Sequence, residues 1–288
     1  MLRGLYTAAS GMIAQQRRHD TVTNNISNIN TPGYKQSNAV TRSFPEMLLA
    51  MTGLENAERT EVGRWTSGVL AEESLSIHLQ GDLTQTNQAS DFALISNIEV
   101  DGLSFDASGK TLSEDGEVVF QPQAFFTVQD PSGEIRYTRG GKFTVTGDGF
   151  LMTGDGSNVL GANGQPIVLP QGIGLDNLVL TEDQRFVDTQ GNDIGVQLLI
   201  SRIENPNDLV REGNGNFRFK DGEEGDVQPI AAGERIEVRQ GYVERSNVDA
   251  AQASVDLMAA LRAYEANQKV IQFYDQSLQK AANEVGRV

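Results

Sequence analysis

The stretch Ser246–Val285, SNVDAAQASVDLMAALRAYEANQKVIQFYDQSLQKAANEV, carries a large hydrophobic side chain at Leu257, Tyr264, Ile271, Leu278 and Val285, every seventh residue without a break. That interval is the stripe a long α-helix offers to a coiled-coil partner. Ser246 or Asn247 supplies a side-chain oxygen for the free amides of the first turn, and Asp249 places negative charge at the positive end of the helix dipole. No proline interrupts the stretch, and Gly286 marks its stop. At about 1.5 Å per residue such a helix runs roughly 55 Å. That is longer than a compact domain covers, so it calls for a partner outside its own globule. The neighbouring row, Ser254, Leu261, Gln268, Asp275 and Ala282, is mostly polar. Polar positions in a seam cost stability but fix register and partner number. A helix packed on its own domain is the plainer alternative.

Composition narrows the function. The chain has 288 residues, enough for one or two domains with a real core. A net charge of −16 argues against nucleic acid as a partner. There is no cysteine, which removes disulfides, thiolate nucleophiles and zinc–thiolate sites. His19 and His78 lie in different segments, which speaks against histidine-based metal or triad chemistry. No stretch has the apolar length of a signal peptide or a membrane-spanning helix, so any passage out of the cytoplasm is expected to use no cleaved signal. Charge is unevenly placed. Residues 1–35 carry net +3 and residues 246–288 net −1, which leaves a strongly acidic middle between two nearly balanced ends.

The N-terminal residues 2–29 read as a second long helix, with Leu5, Met12 and Ile26 on one seven-residue row shared by His19. Leu2, Ala9, Ile13, Val22 and Ile29 lie beside it. Gly4 and Gly11 each cost about 1 kcal/mol relative to alanine inside a helix, so this one depends on packing. The segment then enters Asn24-Asn25-Ile26-Ser27-Asn28-Ile29-Asn30-Thr31-Pro32-Gly33-Tyr34-Lys35. Pro32 forbids continuation and Gly33 supplies a positive φ, so residues 30–34 are a sharp chain exit.

Two motifs at opposite ends carry a family resemblance. Met1-Leu2-Arg3-Gly4-Leu5-Tyr6 and Ala8-Ala9-Ser10-Gly11-Met12, followed by the Asn24–Tyr34 segment with Asn24, Asn25, Asn28, Asn30, Thr31, Pro32, Gly33 and Tyr34, resemble the N-terminal signature of bacterial flagellar rod and hook proteins. Gln240-Gly241-Tyr242-Val243-Glu244-Arg245-Ser246-Asn247 resembles the start of the C-terminal signature of the same family. The later Arg262-Ala263-Tyr264-Glu265-Ala266-Asn267 run agrees with it. The resemblance implies an α+β protein whose N- and C-terminal long helices pair as a coiled coil, with a β-rich middle domain. It also implies a structural subunit of the basal-body rod, most like the distal-rod type. Such a subunit polymerises with itself and with other rod and hook proteins into a hollow helical axle that transmits torque, outside the cytoplasmic membrane after export by the flagellar apparatus. The expected assembly interface comprises Leu2, Leu5, Met12, Ile13, Val22, Ile26, Ile29, Leu257, Leu261, Tyr264, Ile271, Leu278 and Val285. A hook subunit is the alternative within the family, and an exported β-domain adhesin or carbohydrate-binding protein is the alternative outside it.

The expected divisions are residues 1–33 for the N-terminal helix, 34–73 for an extended connector, 74–239 for the β-rich domain and 240–288 for the C-terminal helix. Alternating runs at 75–79, 91–95, 125–128, 134–139, 142–146, 150–153, 167–169, 178–181, 197–203, 216–220 and 235–239 read as strands separated by Gly-rich turns. Residues 97–123 read as an insertion between segments that are adjacent in most relatives. Asp148-Gly149, Asp155-Gly156 and Asp221-Gly222 lack the ligand spacing of a calcium loop and read as tight turns. There is no phosphate-binding glycine loop and no nucleophile elbow. No catalytic, cofactor or metal residues and no small-molecule substrate are expected.

Overall fold

The computed structural model describes residues 2–45, 47–50, 61–72, 74–96, 98, 100, 102–106, 109–113, 116, 118–170, 172–220, 227–229 and 236–285. The chain forms two compact units. One comprises Met1–Ser27, Ser37–Leu75 and Asp249–Val288, and the other Asn28–Gln36 and Ser76–Val248. The protein is mixed α+β, with a β-rich middle and a long C-terminal helix.

The first unit is built on α1 (Leu2–Ser27) and α2 (Ala250–Lys280). Asp249 itself caps α2, its side chain accepting from the N–H groups of Ala251 and Gln252 at 2.8 and 3.1 Å. The expected caps do other work: Ser246 Oγ accepts from Val248 N–H, and the Asn247 side chain is held elsewhere. The last turn, Ala281–Val285, widens into a π-helix, and Gly286 lies outside the described residues. The two helices run antiparallel. Gly4 faces Tyr274, Gly11 faces Asn267, and Arg18 pairs with Asp256 at 2.9 Å. The two glycines that weaken α1 as an isolated helix are the places where its backbone admits the larger side chains of α2.

Segments between the helices form antiparallel pairs, Thr41–Ser43 with Val69–Ala71, the latter lying along α1, and Met47–Ala50 with Glu61–Trp65. Thr7 Oγ1 donates to Ser67 O, and Arg17 Nη1 donates to Ala71 O. Asn25, buried on α1, closes both ends of its amide on Ser37, donating to the carbonyl at 2.8 Å and accepting from the N–H at 3.0 Å.

The second unit centres on the strand Gln123–Gln129. It pairs antiparallel with Ile135–Thr138, with Ile200–Ile203 and, at its far end, with Asn158–Val159. The sheet continues through Asn216–Phe219 to Leu209–Arg211 on one side and through Leu151–Thr153 to Phe143–Val145 on the other. Leu178–Leu180, Arg185–Asp188 and Asp193–Gln197 form a separate three-stranded sheet. Phe92–Ser96 pairs with Ile236–Gln240, and Leu83–Gln85 with Tyr242–Glu244. The main core gathers Phe92, Leu94, Ile98, Phe126, Val128, Phe143, Leu151 and Phe186, and a smaller cluster gathers Phe125, Tyr137, Ile203, Leu209 and Phe217. Phe125 and Phe126 enter different clusters because successive strand residues point to opposite faces.

The 97–123 stretch contributes a two-stranded hairpin, Lys110–Leu112 with Val118–Phe120. Ile98 anchors it in the main core, and Gln121 Nε2 donates to the Ile98 carbonyl. Gly149 and Gly156 sit at φ +87° and +89°, as turns require, and Asp221-Gly222 lies outside the described residues.

Candidate functional site

Two features could carry function, a helical face in the first unit and a buried charge cluster in the second. On α1, Ala8, Ala14, Val22 and Asn25 are buried, while Leu5, Met12 and Ile26 are half-buried. Ile13 is exposed, and the Leu2 side chain lies outside the described residues. On α2, Leu257, Tyr264, Ile271 and Leu278 are half-buried, and Val285's side chain lies outside the described residues. The companion row on the inner side is Ala253, Ala260, Asn267, Tyr274 and Ala281, not the row that contains Ser254, Leu261, Gln268, Asp275 and Ala282, whose members are all exposed. In heptad terms the second inward row stands three residues after the first rather than four. Arg262 and Glu265 are also exposed. Large apolar side chains therefore remain on the outer faces of the pair: Tyr6 is 70% and Phe273 69% exposed, with Ile13, Val255, Met258, Leu261 and Val270 in the same condition.

The second feature gathers residues from both terminal motifs. After α1 the chain turns at Asn28–Gly33, with Thr31 N–H on Asn28 O and Gly33 at φ +71°. This presents Tyr34 and Lys35 inward, where both are buried, while Asn30 stays exposed. Near the other end, Gly241 takes φ +81° and the strand Tyr242–Glu244 follows. Gly33 N–H donates to the Glu244 carbonyl at 2.8 Å. Asn247 then joins three segments: its Oδ1 accepts from Gln36 N–H at 2.6 Å, and its Nδ2 donates to the carbonyls of Ile77 and Leu79.

Inside this crossing lies Glu244, with its side chain fully buried. Lys35 Nζ meets Oε1 at 2.6 Å, where Gly81 N–H also donates, and the Arg139 guanidinium meets Oε2 at 3.0 Å. Arg139 is itself fully buried and donates further to Ser96 Oγ, Ala124 O and Leu94 O, while Lys35 also donates to Leu79 O. Burial pushes the Glu244 carboxyl up, but Arg139, Lys35 and the Gly81 N–H outweigh it and hold the group below the usual carboxylate range. Lys35 is less firmly held: burial first and the Arg139 charge second bring it down to about 8 against the pull of Glu244. The two partners thus shift unequally because Arg139 shares the carboxylate.

His78 lies against this cluster between the rings of Phe125 and Phe217, with centroids 6.1 and 5.8 Å away. Neither ring nitrogen has a hydrogen-bond partner. Burial, then Lys35, Arg211 and Arg139, bring its pKa down to about 3, so the imidazole is neutral. Arg211 stacks over Tyr34 at 4.1 Å and donates to the Lys35 carbonyl. Sequence reasoning assigned no role to Lys35, His78, Arg139 or Glu244, although Lys35 and Glu244 stand in the two terminal motif segments. The Glu244 carboxylate is saturated by donors, and among the described residues no cluster fit to hold a metal occurs. No described helix is long and apolar enough to cross a membrane.

Three family descriptions match the chain: "Flagella basal body rod protein" over residues 5–35, "Flagellar hook protein FlgE/F/G D1 domain" over 121–208 and "Flagellar basal body rod FlgEFG protein C-terminal" over 239–284. Among curated proteins, the flagellar hook-basal body complex protein FlhO of Bacillus subtilis is 37% identical over the full length of both chains. The flagellar basal-body rod protein FlgG of Borreliella burgdorferi is 32% identical, with 98% of each chain covered. The FlgG of Bacillus subtilis is 28% identical over 98% of this chain and 99% of its own.

Proposed function

The chain belongs to the bacterial flagellar rod and hook family, and on that premise we propose that it polymerises through its terminal helices, paired as a coiled coil, into the hollow helical axle that transmits torque. It is a structural subunit of the flagellar basal-body rod. Its partners are further copies of itself and other rod and hook proteins, and the flagellar export apparatus carries it to them. No enzymatic role is assigned to it. The assembly interface comprises the apolar rows of α1 and α2 together with their exposed companions.

The observation that carries this reading is the apolar surface left on the helical pair. Gly4, Gly11 and Arg18 meet α2 at seven-residue intervals, which supports coiled-coil pairing. Tyr6, Ile13, Val255, Met258, Leu261 and Phe273 remain exposed after that pairing, which is what a helix pair awaiting further copies requires. The chain has no cysteine, so single cysteines introduced at Phe273 and at Tyr6 report only on designed contacts. Bismaleimide treatment of basal bodies carrying both is expected to yield a ladder of cross-linked copies. Monomer alone in assembled basal bodies would refute assembly through this face.

A further inference from the structure

The cluster around Glu244 holds more positive than negative charge in a space closed to water. Lys35, Arg139 and Arg211 all act on His78, and the carboxylate that Lys35 and Arg139 share is Glu244. A proton on Glu244 removes the counter-charge of two buried cations. A proton on His78 adds a further cation beside them, on a ring whose nitrogens meet no acceptor and whose flanks are the faces and edges of Phe125 and Phe217. Both events leave uncompensated charge in the same desolvated volume, where it costs far more than at the surface. Opening to water relieves both.

The other carboxylates of the unit that hydrogen bonds hold below the usual range, among them Asp155, Asp188 and Asp193, are half-buried or exposed, so a proton on them leaves no charge shut away from water. The unit's main core cluster consists of apolar side chains, from Phe92 and Leu94 through Phe143, Leu151 and Phe186 to Leu198. What the charged cluster holds together is specific: the outgoing chain at 33–36, the segment 77–81 and the returning chain at 242–247. They are joined through Gly33 N–H to Glu244 O, Gly81 N–H to Glu244 Oε1 and the three bonds of Asn247.

We propose that this crossing is an acid-operated latch: protonation of His78 and Glu244 frees residues 33–36, 77–81 and 242–247 from one another while the main core stays folded. Closed at neutral pH, the latch opens by local rather than global unfolding. Each proton taken up on opening makes the open state about tenfold more favourable per pH unit, so two protons give a slope of up to about a hundredfold per unit.

Hydrogen exchange of the full chain, followed by mass spectrometry from pH 7 to pH 4 and corrected for intrinsic exchange rates, tests this. Protection in peptides covering 33–36, 77–81 and 242–247 is expected to fall at least about tenfold per pH unit below pH 6, with less than about threefold change in peptides covering 143–153 and 159–169. In His78→Phe the latch slope is expected to drop by about one proton, a factor of about ten per pH unit, with neutral-pH protection kept. If that variant does not fold, His78→Gln serves for the same slope. Glu244→Gln is expected to show an open latch at pH 7 over a protected core. Loss of protection in latch and core together, or an unchanged slope without His78, would overturn the proposal.

Discussion

The backbone of Gly33 lies against that of Arg139 so closely that a Cβ on Gly33 would stand 2.6 Å from the Arg139 carbonyl carbon and 2.7 Å from its oxygen. The obstacle is backbone, which cannot swing aside, and Gly33 also sits at φ +71°, where a side chain is strained. Gly33→Ala is therefore expected to destabilise the β-rich unit by roughly 3 kcal/mol, lowering its thermal transition by about 6–12 °C. Exposed Gly154 has no atom within 4 Å of its notional Cβ, so Gly154→Ala should stay within about 0.5 kcal/mol. Calorimetry decides, and equal shifts in the two variants would contradict the close approach.

Lys35 makes a prediction on the alkaline side. Its folded-state pKa is about 8 against an ordinary 10.5. Below pH 8 both folded and unfolded chains hold the proton, and stability does not vary through this group. Between 8 and 10.5 the unfolded chain holds more protons, so raising the pH favours the folded state, by about 3 kcal/mol in total. Lys35→Met should abolish this rise while leaving Glu244 paired with Arg139. Denaturant titrations at pH 7.5 and 10 measure it, and the same rise in both proteins would assign the effect elsewhere.

The buried charge cluster around Glu244 also sets the smallest piece that folds well. A fragment of residues 74–239 lacks both Lys35 and Glu244, which leaves the fully buried Arg139 without its carboxylate. Breaking a buried pair by removing one partner costs about 3–5 kcal/mol. A fragment of residues 28–248 keeps all three groups and the strand pair of Leu83–Gln85 with Tyr242–Glu244. It is expected to unfold cooperatively at the higher denaturant concentration, and equal midpoints would mean that the buried charges contribute nothing.

How far the sequence carried this picture depends on the range of each signal. The seven-residue row of α2 and the turn at Pro32-Gly33 are local patterns and were legible. The second inward row of α2 lies one residue earlier than the sequence pattern suggests, because Ala253 and Ala260 are too small to register as a stripe although the packing buries them. The strands Arg185–Asp188 and Asp193–Gln197 escaped notice because charged residues and Gly195 interrupt their alternation. The charge cluster around Glu244 was not legible as a cluster. Glu244 stands 209 residues from Lys35 and 105 from Arg139, and in sequence a buried carboxylate looks like a surface one.

Three adjacent positions on α2 separate helix pairing from assembly. Ile271 is half-buried on the unbroken heptad row, Gln272 is exposed, and Phe273 is exposed and apolar. Aspartate at 271 puts an unpaired charge into a seam where desolvation costs several kcal/mol, so α1 and α2 should lose their pairing, with loss of helical circular dichroism in the isolated chain. Aspartate at 273 meets water in the isolated chain and should leave its spectrum unchanged. If the outer face contacts further copies, that charge is buried only on assembly, and incorporation into the rod and motility are lost. Gln272→Asp tests the intervening position and should be tolerated in both assays. Ile271→Asp with normal helicity would remove the heptad pairing, and Phe273→Asp with normal motility would remove the outer face from the interface.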